Sequence, residues 1–217
     1  MRSGAMMMQH DKLEGIPIGE PKPEGFEEKM RRIRADMLHA ATCNSRGDSP
    51  WFAVRVMSGR EIAVKNAMEA AGIEALVPMR KGPEYRRRHR VIPATLIPAM
   101  TSYVLVRFLP STQAFLGIRS IEHVIDMLGG CLSPRHIPNA EVMRFNALAD
   151  EGALDWERPT IVFLKGEKVR VTDGPFASFV GEITSCRNDG KGDAVVELNL
   201  FASMTPVLMP LAILEKV

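Results

Sequence analysis

The strongest constraint on this chain is a change of hydrophobic period near residue 160. Before that point, short apolar runs of period two alternate with stretches of helical spacing; after it, every stretch reads as strand or turn. Residues 51–57, WFAVRVM, are aromatic and β-branched and predict a strand with Phe52, Val54 and Val56 on one face. Ser58 and Glu61 have the spacing of a capping box, which predicts a helix to residue 71 stopped by Gly72, with Val64, Ala67, Met68 and Ala71 inside. Residues 74–79 predict a second strand. A long basic excursion follows, then a strand at 103–108, a short helix at 110–119, a strand at 122–128 closed by Gly129-Gly130, and a helix at 140–151. Alternation of this kind predicts a split βαβ, ferredoxin-like domain over residues 51–155.

Residues 156–161 read as a linker, and residues 162–217 as all β. Strands are expected at 168–171, 180–186, 194–200, 206–210 and 212–214. Turn chemistry punctuates them at Asp173-Gly174-Pro175 and at 188–192. Five short strands in so little chain predict a small barrel, which removes open edges. The fold class expected is therefore α+β, a ferredoxin-like domain followed by an SH3-like barrel. Residues 1–50 read as an appendage. Prolines and glycines fill its first half and predict disorder. Phe26, Met30, Ile33, Met37 and Leu38 allow a marginal helix at 26–41, solvated rather than integral.

Charge narrows the function. The net charge of +2 is too small for bulk nucleic-acid binding, but it is unevenly spread. Arg80, Lys81, Arg86, Arg87, Arg88 and Arg90 face only Glu84. Cys43, Cys131 and Cys186 are far apart and form no metal or disulfide framework. The histidines His10, His39, His89, His123 and His136 include no pair at ligand spacing, and His123 is expected within a strand. No phosphate-cradling glycine loop and no base–nucleophile pair can be argued, so neither a cofactor, a metal nor catalysis is expected. No apolar run is long enough to cross a membrane, and the protein is read as cytoplasmic.

Residues 166–181, GEKVRVTDGPFASFVG, resemble a KOW motif. Together with WFAVRVMSGREIAVKNAM, SYVLVRF and IRSIEHVIDMLGG, they resemble the NusG family of transcription elongation factors from residue 51 to the end. The resemblance implies a monomeric, non-enzymatic adaptor. Its first domain would bind the RNA polymerase clamp, and its KOW domain would recruit the termination factor Rho or a small-subunit ribosomal protein. A ribosome-associated, RNA-binding KOW protein is the alternative.

The family's Phe-Pro-Gly-Tyr is here Met100-Thr101-Ser102-Tyr103, so either Ser102 accepts the backbone angle that glycine serves or the loop is redrawn. Met100 and Tyr103 match positions that contact polymerase in the family, or are ordinary core. Arg86, Arg87, Arg88 and Arg90 suit non-template DNA near the upstream fork, or form a solvated hairpin tip. Phe176, just after the turn, is an exposed anchor for the KOW partner, or a plug of the barrel.

Overall fold

The computed structural model describes residues 25–42, 49–87, 90–130, 134–158, 160–187, 189–200 and 203–217. In chain order its first half carries α1 (Phe26–Thr42), β1 (Trp51–Val56), α2 (Glu61–Ala70), β2 (Glu74–Leu76), β3 (Met79–Lys81), β4 (Tyr85–Arg87), β5 (Arg90–Ile92), β6 (Leu96–Pro98), β7 (Tyr103–Arg107), α3 (Thr112–Arg119), β8 (Val124–Met127) and α4 (Asn139–Asp150). The second half carries β9 (Lys168–Val171), β10 (Val180–Cys186), β11 (Asp193–Leu200), β12 (Ser203–Pro210), a 3-10 turn at Leu211–Ile213 and β13 (Leu214–Lys216). The first sheet has the order β2-β7-β1-β8, so β1-α2-β2 and β7-α3-β8 are interleaved split βαβ units, as the ferredoxin-like expectation requires. The second sheet has the order β12-β11-β10-β9-β13 and is the expected five-stranded β unit.

Both faces of the first sheet are buried. Phe52, Val54 and Val56 of β1 and Val104 and Val106 of β7 pack under α2 and α3, with Val64, Met68, Phe115 and Ile118. Phe52, Phe108 and Phe115 form the centre of that core, with ring centroids 4.8–5.6 Å apart. The intervening residues, Trp51, Ala53, Tyr103 and Leu105, point the other way. They join α4 and the barrel in one continuous core with Phe145, Phe163, Phe176 and Val196. A sheet apolar on both faces needs two covers. Here the helices supply one, and α4 with the barrel supplies the other.

Several local expectations are corrected. Residues 74–79 are two strands rather than one, since β2 joins the sheet and β3 leaves it to pair with β6. Residues 211–213 turn before the last strand, which starts at Leu214. His123 lies in a left-handed turn (φ 69) ahead of β8, not within a strand. The capping box does not form: Arg60 is the N-cap of α2 and no side chain caps it. Ser58 and Glu61 turn instead to Ser102.

Helix α1 forms where expected but is not a solvated appendage. It lies across α3, with Ala41 fully buried and Leu38 packed on the core beneath. Gly117 of α3 permits the crossing, because a Cβ there would sit 2.5 Å from the Met37 carbonyl oxygen. Gly117→Ala is therefore expected to displace α1. The overpacking should cost about 1–3 kcal/mol, more than the ~1 kcal/mol of helix propensity that alanine gains over glycine. Faster limited proteolysis within 26–42 and a lower melting temperature would show it. Unchanged values of both would mean that α1 rests elsewhere.

Candidate functional site

The site is built on the turn that opens β7. Ser102 has φ 68, in the left-handed region that favours glycine. Met100 and Tyr103 flank it, only 3% and 7% exposed. Neither faces water, because the barrel closes over them. The Phe176 ring meets Tyr103 edge-on, with centroids 5.0 Å apart and planes at 85°. Burial pushes the Tyr103 phenol above its ordinary value, opposed in part by Arg55.

Phe176 is fully buried, which corrects the expectation of an exposed anchor. The turn after Gly174 does present the ring, held by Ala177 N–H donating to the Gly174 carbonyl, but it presents the ring to the first domain. A void of only about 10 Å³ lies among Val77, Met100, Tyr103, Phe145 and Pro175. That leaves room for one water at most, so the two domains meet here in close apolar packing.

Arginines of the first domain hold the rim. Arg80 of β3 is buried, with Nη2 2.5 Å from the Asp193 carboxylate of β11 and Nη1 donating to the Leu154 carbonyl at 3.1 Å. Its guanidinium lies 5.7 Å from the Trp156 ring centre, and among the described residues its Nε has no partner. Burial holds the Asp193 carboxyl above the usual value, against the pull of Arg80. Beside it Gly192 has φ 80, and a Cβ there would fall 2.6 Å from the Trp156 ring. The linker is stitched to both sides: Trp156 N–H donates to the Lys81 carbonyl at 3.0 Å, and Gly192 N–H donates to the Trp156 carbonyl at 3.1 Å. Arg135 donates to the Ala177 carbonyl at 3.0 Å and lies 4.3 Å from the Phe179 ring centre. Arg144 pairs with Asp173 at 2.6 Å but is more than half exposed.

The basic run is a hairpin, with Tyr85 opposite Ile92, Arg86 opposite Val91 and Arg87 opposite Arg90. Tyr85, Arg90, Val91 and Ile92 are exposed; Arg88 lies outside the described residues. Sequence reasoning placed Arg80 in this run and so missed its role in the seam. Its partner Asp193 is far along the chain, and no local pattern links them. Among the described residues no group of three potential ligands could hold a metal, and no helix is long and apolar enough to cross a membrane.

Fold and site together define a two-domain α+β protein whose small barrel packs on the open face of a ferredoxin-like domain. A family model described as NusG, transcription termination factor nusG, matches residues 49–146. The transcription termination/antitermination protein NusG of Vibrio cholerae is 30% identical over 183 residues, covering 76% of this chain and 94% of that protein. The Escherichia coli protein of the same name is 31% identical over 178 residues, covering 76% and 95%. A solved structure, described as domain interaction in Thermotoga maritima NusG, is 23% identical with a TM-score of 0.41, covering 78% of this chain and 98% of that one. The chain belongs to the NusG family of transcription termination/antitermination proteins.

Proposed function

We propose that this NusG-family protein binds RNA polymerase through the 100–103 turn of its first domain and recruits a second partner, Rho or a small-subunit ribosomal protein, through its barrel. It does so without a chemical step, from a closed resting state in the cytoplasm. The observation that carries this reading is the packing of Tyr103 on Phe176. The two residues chosen for separate partners bury one another, so a polymerase reaching Met100 and Tyr103 has to displace the barrel. Such a protein works by population shift, in which a ligand that binds only the open form draws the chain open. The exposed β4–β5 hairpin, with Arg90 and Tyr85 at its surface, supplies charge and a stacking ring for single-stranded DNA beside the polymerase.

The test compares polymerase binding by the full chain and by residues 25–157, which keep the core under α1, α2 and α3. The excised domain is expected to bind more tightly than the full chain. A domain folded by circular dichroism that does not bind would overturn the polymerase assignment. Equal binding would overturn the closed state.

A further inference from the structure

We infer that Glu61 and Ser58 are positioning residues that hold the 100–103 turn in its docking shape, an inference that rests on that turn being the polymerase-facing surface. Ser102 is not glycine, yet it sits at φ 68, a region that residues with a Cβ populate sparsely. Surrounding contacts have to over-determine such an angle, and here every polar group of Ser102 is engaged, by the end of β1, the start of α2 and the turn between them. Its N–H donates to Glu61 Oε1 at 2.7 Å. Its carbonyl accepts from Val56 N–H at 2.9 Å. Its hydroxyl lies 2.6 Å from that of Ser58.

Glu61 is 3% exposed and stands in the first turn of α2, where the helix N-terminus favours an acidic side chain. Its other oxygen needs no specific partner for this role, because the Ser102 amide is what the site has to satisfy. A glycine at 102 would take the angle unaided. With serine there, the neighbouring helix supplies the restraint. The two residues expected to touch polymerase, Met100 and Tyr103, lie on either side of the restrained position. If Ser102 relaxed to negative φ, the turn would redirect Met100 relative to Tyr103, which β7 holds opposite Arg55.

Two measurements on the full chain test this. The first is hydrogen exchange of the Ser102 amide in the free protein. The second is polymerase affinity with Phe176→Ala also present, so that closure does not limit binding. Glu61→Ala is expected to speed exchange and weaken affinity, each by about tenfold, through loss of the buried acceptor. Glu61→Gln, which keeps an acceptor oxygen, should stay within about threefold on both. Adding Ser102→Gly to Glu61→Ala should restore affinity while the amide still exchanges fast, a rescue that general damage to α2 would not allow. Unchanged exchange in Glu61→Ala overturns the proposal, as does faster exchange with full affinity, or a double variant as weak as Glu61→Ala. If the Phe176→Ala chain does not bind polymerase at all, the polymerase reading falls instead. The exchange comparison then still decides whether Glu61 holds the turn.

Discussion

Phe176→Ala should open the two domains while leaving both folded. Truncating a fully buried phenylalanine costs about 3–5 kcal/mol, and the partner it loses first is Tyr103 of the other domain. At about 1.4 kcal/mol per tenfold, that loss shifts the closed-to-open ratio by more than about a hundredfold. Small-angle scattering should show a larger radius of gyration. Polymerase binding by the full chain should rise towards that of the excised first domain, because Met100 and Tyr103 are uncovered together. A melt of the isolated barrel decides where the ring belongs. If Phe176→Ala changes the melt of residues 160–217 by less than about 1 kcal/mol, as at a surface site, the ring serves the seam. A barrel that unfolds would show that the ring is part of its own core, and a gain in polymerase binding would then be lost with it.

The order β1-α2-β2-β7-α3-β8-α4 could be read from period, because those segments carry apolar runs at strand or helix spacing, whereas β3 to β6, short and partly exposed, read only as the end of β2 and a basic excursion. Phe52, Val54 and Val56 predict their shared face correctly. The departure Met-Thr-Ser-Tyr marks Ser102 as the position to inspect, but whether serine takes a glycine-like angle or the loop is redrawn is decided only by the structure, where its φ is 68. What period does not give is the seam. A signal for it is present in the runs Trp51-Phe52-Ala53-Val54 and Tyr103-Val104-Leu105-Val106, which are apolar at consecutive positions and so demand a cover on each face. One layer of helices accounts for only one of those faces. Phe176 then reads wrongly as exposed, because a turn residue beside Pro175 suggests solvent when the barrel is considered alone. The Ser58-x-x-Glu61 spacing misleads for a different reason. A strained amide at Ser102 outbids the helix terminus for both side chains, a tertiary demand with no trace in the local pattern. Gly117 likewise looks like a weak point of α3 until α1 is laid across it.

Asp193→Ala should be as damaging as Phe176→Ala, by a different route. Arg80 is 1% exposed, and the Asp193 carboxylate is its one charged partner among the described residues. Removing that carboxylate leaves a buried guanidinium with only the Leu154 carbonyl, and breaking a buried pair from one side costs about 3–5 kcal/mol. β3 can avoid that cost only by withdrawing Arg80 into water. Withdrawal would pull Lys81 from Trp156 and release the linker, so the domains should separate. The double change Arg80→Met with Asp193→Leu removes both charges and keeps the volume, and it should recover most of the loss, since an apolar replacement of a buried pair is often neutral. Raising the salt concentration should leave the wild-type melt nearly unchanged at this contact, because ions do not reach it. The exposed pair Arg144–Asp173 should contribute at most about 1 kcal/mol and be screened. The measurements are chemical denaturation of the single and double variants, with scattering to separate opening from unfolding. A cost under about 1 kcal/mol for Asp193→Ala would place the pair in water and leave the seam to the Phe176–Tyr103 packing and the Arg135 contacts.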